Sequence, residues 1–307
     1  MLCGEQFPCM KGVMSANEFN SARLRFFFLI AAILALCFGK PLYDLLRLAA
    51  NSDLYSYIPL IPMISAYLIW SQRKNLPRFS EPTDTLAAFF FAGGVAAIAG
   101  YLLAARFSSL AYEDCLTLLI LGFLLFFTSA CCLFLGKEIL RAIAFPISLL
   151  IFIIPLPEFF RHWTEMFLQH GSAAVAGGLF KLSGTPFFQD GLVFQLPGIN
   201  LEVAPECSGI HSTLALLITS LVASHLFLRS PWKRATLCLA VIPLALLRNG
   251  FRVFVIGQLC VHVGPEMINS PIHHHGGPIF FILSLIPFFL LLIFLRKSER
   301  ACEKKPS

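Results

Sequence analysis

The sequence is poor in charge and rich in apolar residues. Of its 307 residues, 13% are charged and 57% are hydrophobic, whereas about 25% of the residues in a typical soluble domain are charged. The net charge of +6 is small and dispersed along the chain, so no nucleic-acid partner is expected. Apolar runs long enough to cross a membrane recur throughout. We therefore expect a polytopic membrane protein surrounded by lipids.

Motifs that would indicate several other classes of protein are also missing. The ten cysteines form no Cys-x-x-Cys pair, which argues against a zinc ribbon or a thioredoxin-like site. The zinc-protease motif His-Glu-x-x-His is absent, and we expect neither a metal nor a cofactor. No clear Ala-x-Ala cleavage site follows the first apolar segment, residues 24–38, so we interpret it as an uncleaved membrane span.

The apolar runs predict about eight transmembrane helices, each close to the 20 or so residues that cross a bilayer. They fall at residues 24–43, 54–70, 86–105, 115–135, 139–157, 209–228, 235–256 and 278–295. Basic residues cluster at alternate joints and in the C-terminal tail, which places those joints and both termini in the cytoplasm. The chain is thus predicted to be a multi-pass protein of the cytoplasmic (inner) membrane.

The predicted fold class is an all-α polytopic membrane protein with one small β-hairpin on the outer face. The hairpin is predicted within residues 187–204, where two short alternating runs flank Pro197-Gly198. Residues 1–307 are predicted to form a single integral membrane domain. Its parts are N-terminal helices at 24–157, an outer-face amphipathic segment with the hairpin at 158–206, helices carrying the candidate site at 207–295, and a cytoplasmic tail at 296–307.

A cysteine at the start of a predicted span is the first candidate for chemistry. Cys207 follows Pro205 in a polar segment and precedes the apolar helix that begins near Gly209. The dipole at a helix N-terminus favours a thiolate, which is the nucleophilic form of cysteine. We therefore interpret Cys207 as a catalytic nucleophile at the outer face.

Arg252 and His273 return to the same predicted side of the membrane. Arg252 lies about 17 residues, or roughly 25 Å of helix, beyond a basic joint, and an arginine within a span normally faces a partner or water. Its permanent charge suits a thiolate or an oxyanion. His273 starts the last predicted span and is a candidate base, as are its neighbours His274 and His275. Adjacent side chains diverge, so a metal site is not expected there.

Four neighbours of these residues are candidates for contact with a substrate. They are Glu206, Ser208, Arg248 and Asn249. Glu206 adjoins the cysteine and could orient a base or bind a basic substrate group. Arg248 lies one helical turn from Arg252 on the same face.

In combination these motifs resemble the exosortase/archaeosortase family of polytopic membrane cysteine transpeptidases. The residues that carry the resemblance are Pro205-Glu206-Cys207-Ser208-Gly209-Ile210-His211-Ser212, then Asn249-Gly250-Phe251-Arg252-Val253, then His273 with Gly277, and an early segment from Tyr55-Ser56-Tyr57-Ile58-Pro59-Leu60-Ile61-Pro62 to Arg73. The resemblance implies that Cys207 forms an acyl-thioester, that Arg252 stabilises charge or donates a proton, and that His273 assists at the transition state.

The resemblance also implies the partners. Substrates would be exported proteins with a C-terminal sorting tail made of a short motif, a membrane helix and basic residues, similar to a PEP-CTERM signal. Cleavage at the outer face would be followed by transfer to an amine-bearing lipid or polysaccharide, or to water. The hairpin is a candidate recognition surface, because exposed strands capture extended peptides by added pairing.

Two other classes of function stay open from the residues alone. One is an anion or lipid transporter lined by Arg248 and Arg252. The other is a non-catalytic partner in envelope or polysaccharide assembly.

Overall fold

The computed structural model describes residues 16–77, 83–107, 111–204, 208–264, 266–267 and 277–303. The chain divides after Pro157 into two compact units, Met1–Pro157 and Glu158–Ser307. The single integral membrane domain expected from the sequence stays a prediction. Glu206, Cys207 and His273 lie outside the described residues.

The first unit consists of helices that differ in length and straightness. They are α1 (Ala16–Cys37), α2 (Gly39–Asn51), α3 (Leu60–Gln72), α4 (Asp84–Phe107), α5 (Tyr112–Ala142) and α6 (Ala144–Leu149), with short 3-10 helices at Asp53–Tyr55, Arg73–Asn75 and Leu150–Ile153. Long apolar runs form helices because a helix satisfies its own backbone hydrogen bonds in lipid. Two breaks involve glycine. A 70° bend separates α1 from α2 where Gly39 follows Phe38, and Gly136 interrupts α5 with φ 78° and ψ 168°.

Small residues and a few polar contacts hold this unit together. An added Cβ at Gly94 of α4 would lie 2.8 Å from the Phe126 ring of α5, so these two helices approach closely, as small residues allow in membranes. The hydroxyl of the buried Tyr55 donates to Glu113 Oε2 at 3.1 Å. That hydrogen bond joins the segment before α3 to the first turn of α5.

The second unit combines helices with a small antiparallel sheet. Its elements are α7 (Glu158–Ser183), β1 (Phe188–Asp190), β2 (Val193–Leu196), β3 (Ile199–Glu202), α8 (Ile210–Phe227), α9 (Pro231–Leu239), α10 (Val241–His262) and α11 (Gly277–Glu303). The unit therefore contains the whole region in which the sequence places the candidate chemistry.

The predicted hairpin is present and forms part of a sheet with the order β1-β2-β3. Leu196 pairs with Ile199 across the Pro197-Gly198 turn, and Gly198 has φ 85°. A proline followed by a residue with positive φ is typical of a type II turn. The third strand, β1, was not predicted from the sequence, because three residues are too few to show an alternating pattern.

The sheet is fixed to the helices by one apolar core. Phe194 and Leu201 of the sheet are buried in the same cluster as Phe180 of α7 and as Val253 and Ile256 of α10. The strand face is thus covered by two helices rather than by solvent. As a result, β3 is packed against α7 and α10 shortly before the chain reaches residue 205.

α7 and α10 lie close together because small residues meet at their contact. An added Cβ at Gly250 would lie 2.5 Å from Val175 Cγ1 and 2.9 Å from the Ser172 carbonyl oxygen. An added Cβ at Gly257 would lie 2.5 Å from the Phe180 ring. Close approach at small residues is the common way in which membrane helices gain packing contacts. This contact sets the position of α10, the helix that carries both candidate arginines.

The structure confirms the predicted class of polytopic, helical membrane protein. Its described residues contain six helices long and apolar enough to cross a membrane, or up to eight if each of two bent pairs is one span. The six are Asp53–Asn75, Asp84–Phe107, Tyr112–Ala142, Ile210–Phe227, Pro231–His262 and Gly277–Ala301. The structure differs from two of the expected spans. The span at 24–43 is bent by 70° between α1 and α2, and the span at 139–157 is divided among the end of α5, α6 and a 3-10 helix.

The α7–α10 contact predicts a difference between two identical substitutions. We expect Gly250→Ala to destabilise the protein by about 1–3 kcal/mol, because the added methyl overpacks the contact with α7. Gly178→Ala, on the same pair of helices but with no atom within 4 Å of the new Cβ, should be neutral or slightly stabilising, since alanine favours a helix over glycine. Thermal unfolding of both purified variants in detergent measures this difference. Equal unfolding temperatures would contradict the close contact.

Candidate functional site

The structure brings four of the candidate residues to one place in the second unit. Ser208 precedes α8, while Arg248, Asn249 and Arg252 lie on consecutive turns of α10. Cys207 lies outside the described residues, yet its peptide bond to Ser208 means that the environment of Ser208 bears directly on it.

Gly209 shapes the chain between Ser208 and α8. It has φ 68° in the left-handed region and immediately precedes the first helical residue, Ile210. An added Cβ at Gly209 would lie 2.5 Å from Asn249 Nδ2. Glycine is required here both for its backbone conformation and for the space that Asn249 occupies. The helix start predicted from the sequence near residue 209 is confirmed.

The Asn249 side chain joins α10 to the chain that precedes α8. It is 3% exposed, and its Nδ2 group donates a hydrogen bond to the Ser208 carbonyl oxygen. Its Oδ1 atom accepts from Arg248 Nε and Nη2, both at 3.1 Å. Both ends of the amide are therefore engaged within the protein.

Arg248 is buried and extends the same network. It is 7% exposed, and its Nη2 atom also donates to the Gly209 carbonyl oxygen and to Thr213 Oγ1, each at 3.2 Å. Among the described residues its acceptors are all neutral, and its buried Nη1 atom has no hydrogen-bond partner there. A buried guanidinium with neutral partners gives the start of α8 a positive potential, which favours an anion.

Two more polar groups, one of them cationic, lie near the start of α8. Arg252 is half-buried one turn after Arg248, on the same helix face. Ser208 is 1% exposed, and its buried Oγ atom lacks a hydrogen-bond partner within the described part of the chain. A cationic group and a free hydroxyl beside a cysteine can stabilise a thiolate or the oxyanion of a tetrahedral intermediate.

The chain on the other side of the 205–207 segment is also held. Val203 is 1% exposed, and its carbonyl oxygen accepts from Gln169 Nε2 of α7 at 3.1 Å. Its amide donates to the Leu192 carbonyl oxygen at 3.0 Å. Because Val203 and Ser208 are both fixed to buried partners, the segment that contains Cys207 begins and ends at defined points.

The sequence interpretation missed three residues of this arrangement. Thr213 and the Gly209 carbonyl accept from Arg248, and Gln169 holds Val203. Thr213 lies in the first turn of α8, four residues after Gly209, a spacing that places it on the side of that carbonyl. Gln169 is the one side-chain amide of α7 and lies between Leu168 and His170. Backbone acceptors, in contrast, leave no signal in a sequence.

No group of three or more His, Cys, Asp or Glu side chains is arranged to hold a metal within the ranges that the structure describes. His273, His274 and His275 lie outside those ranges. Arg248 and Arg252 carry positive charge, and the one side-chain carbonyl beside them, Asn249 Oδ1, already accepts from Arg248. The described part of the site therefore favours an anion over a cation.

The Arg248 network predicts that one threonine of α8 matters more than another. Thr213→Val removes an acceptor from the buried guanidinium, which should cost about 1–3 kcal/mol. Thr219→Val is the matched control, because among the described residues Thr219 Oγ1 bonds within its own helix, to Ala215 O at 2.8 Å. Thermal unfolding in detergent should show a clearly lower midpoint for Thr213→Val. A midpoint equal to that of Thr219→Val would count against the network.

Comparison with known proteins identifies a family. The family model for transmembrane exosortases (Exosortase_EpsH) matches residues 48–290, which is more than half of the chain and includes both sides of the site. No curated protein and no solved structure matches the chain. Exosortases are generally cysteine transpeptidases of the membrane that act on sorting signals. The chain belongs to the transmembrane exosortase family.

Proposed function

We propose that this protein cleaves the C-terminal sorting signals of exported proteins at the outer face of the cytoplasmic membrane. In this proposal Cys207 is the nucleophile, Arg252 is the charge-stabilising group, and His273 acts as acid and base. The observation that carries the proposal is the hydrogen bond from Asn249 to the Ser208 carbonyl. It attaches the residue bonded to Cys207 to α10, three residues or about 4.5 Å of helix from Arg252. Family membership over residues 48–290 supports the reaction class.

The proposed first step forms an acyl-enzyme. His273 takes the thiol proton, and the Cys207 thiolate attacks the carbonyl carbon of the scissile peptide bond. Arg252 stabilises the resulting oxyanion. The carbon–nitrogen bond then breaks, the leaving amine takes the proton from His273, and the exported protein stays attached to Cys207 as a thioester while its C-terminal tail departs.

The proposed second step releases the product. An amine on a lipid or polysaccharide, or a water molecule, loses a proton to His273 and attacks the thioester carbonyl. The carbon–sulfur bond breaks, and the regenerated thiolate recovers a proton from His273. The product is an exported protein joined to the acceptor, or a free carboxylate if water attacks.

Arg248 and Asn249 support this chemistry as positioning residues. Asn249 uses both ends of its amide within the protein, and Arg248 donates to the backbone that precedes α8. Such fixed donors keep the nucleophile segment in place without reorganisation during the reaction. The same contacts weigh against an anion path, because Arg248 is 7% exposed. Contact of Glu206, Ser208, Arg248 and Asn249 with the sorting signal stays a prediction.

The nucleophile assignment makes a sharp prediction. Cys207→Ala should abolish processing of a co-expressed substrate that carries a sorting tail, while the protein still accumulates in the membrane. Cys260→Ala should process normally, because Cys260 is a buried cysteine in the core of α10 and the sheet. Immunoblotting of substrate size measures processing, and mass spectrometry of the wild-type protein should recover a substrate peptide linked to Cys207. Normal processing by Cys207→Ala would overturn the proposal.

Arg252→Lys should reduce processing at least about tenfold, although the positive charge is kept. Lysine lacks the planar pair of donors with which a guanidinium can hold an oxyanion. Arg141→Lys serves as the control, because Arg141 is exposed in the first unit. Initial rates of substrate cleavage at equal protein levels give the comparison. Wild-type rates in Arg252→Lys would show that only charge is needed and would remove the bidentate role.

A further inference from the structure

A second cationic site lies at the opposite end of α8. The C-terminal end of α8, the start of α9 and the last turns of α11 enclose a cavity of about 260 Å³. Its lining includes four arginines and one carboxylate: Arg229, Arg234, Arg296, Arg300 and Glu299. This group of residues, called the basic pocket below, has no part in the proposed reaction.

The carboxylate of the basic pocket, Glu299, accepts hydrogen bonds from backbone amides. Glu299 Oε1 accepts from the Ser230 amide at 2.6 Å, and Oε2 accepts from the Arg229 amide at 3.1 Å. Glu299 thereby satisfies amides at the start of α9, where Pro231 is the first helical residue. Among the side chains that the structure describes in this lining, one carboxylate accompanies four guanidinium groups, so their net charge is positive.

Two of the arginines are held in place by neighbours. Arg234 Nε donates to the Leu228 carbonyl oxygen at 2.8 Å, and the Arg296 guanidinium lies 5.5 Å from the centre of the Phe227 ring. Neither contact is an ion pair. Arginines fixed in this way form a preorganised set of donors, which suits the several oxygens of a phosphate group.

The surroundings of the pocket are apolar. Phe227 and Leu226 of its lining are 45% and 50% exposed. Trp232 of α9 and Phe294 of α11, two residues from lining arginines in the sequence, are 76% and 67% exposed. In a membrane protein such side chains face acyl chains or the boundary with the head groups. A ligand that fits both features carries a negative charge at one end and hydrocarbon at the other.

We propose that the basic pocket binds the phosphate of an anionic phospholipid, whose acyl chains lie along the exposed apolar side chains at the end of α8 and α11. The basic joint and tail that form the pocket belong to the predicted cytoplasmic side. Anionic lipids give that leaflet a negative surface potential and favour basic pockets between helices. The site is independent of the proposed function and holds whether or not Cys207 is a nucleophile.

The test compares two variants of equal charge change in the purified full-length protein. Arg296→Gln/Arg300→Gln alters exposed arginines of the pocket, and Lys137→Gln/Arg141→Gln alters exposed basic residues of the first unit. Native mass spectrometry in a nonionic detergent measures retention of phosphatidylglycerol, with phosphatidylcholine of the same acyl chains and inorganic phosphate as further probes. Thermal unfolding without lipid checks that both variants are folded, and Arg300→Gln alone replaces the pocket variant if it is not.

We expect the pocket variant to bind phosphatidylglycerol about thirtyfold more weakly than wild type, and the control variant to bind it normally. Equal retention by both variants would overturn the proposal. Equal binding of phosphatidylcholine would overturn the anionic specificity. If inorganic phosphate binds as tightly and displaces phosphatidylglycerol, the pocket is a site for soluble phosphate and the lipid assignment is wrong.

Discussion

The hydrogen bond between Asn249 and the Ser208 carbonyl holds the candidate site to its scaffold. Non-helical backbone within a membrane protein must find its partners in the protein, because lipid offers none. Asn249 meets this need by donating to Ser208 while it accepts from Arg248. Arg248 in turn donates to the Gly209 carbonyl. Asn249 and the buried Arg248 therefore hold two consecutive residues of the chain next to Cys207, and losing the Asn249 amide would leave buried polar groups unsatisfied.

That contact explains why glycines are placed where they are. Gly209 has positive φ and leaves no room for a Cβ beside Asn249. Gly250 adjoins Asn249 in the sequence and lets α10 approach α7, where a Cβ would overlap Val175. The first glycine lets the chain reach the amide, and the second sets the helix that carries it. Backbone conformation, helix packing and the buried polar network thus support one another rather than acting as separate stabilising features.

Structural features with a sequence pattern could be predicted, whereas those that depend on contacts within the fold could not. Apolar length predicted most of the membrane-spanning helices but not the breaks within 24–43 and 139–157. Pro197-Gly198 predicted the turn, and the four-residue spacing predicted that Arg248 and Arg252 share a face. The bend at Gly136 and the three-residue strand β1 have no periodic pattern to reveal them. Arg248 and Asn249 were predicted to contact substrate, a role that stays a prediction. Their contacts to backbone carbonyls were not foreseen, because every residue carries a carbonyl and only the fold selects one.

The two cationic regions of the second unit lie at opposite ends of α8. Arg248 donates to the residue before its first turn, whereas the basic pocket lies beyond its last residue, Phe227. The 18 residues of α8 span about 27 Å, close to the roughly 30 Å hydrocarbon thickness of a bilayer. A pocket filled by a cytoplasmic lipid head group therefore puts Ser208 near the opposite boundary. Lipid binding at one end of α8 and peptide chemistry at the other would then depend on different arginines. The buried Arg248 has its acceptors within the protein, whereas the exposed Arg296 and Arg300 would find theirs in lipid head groups.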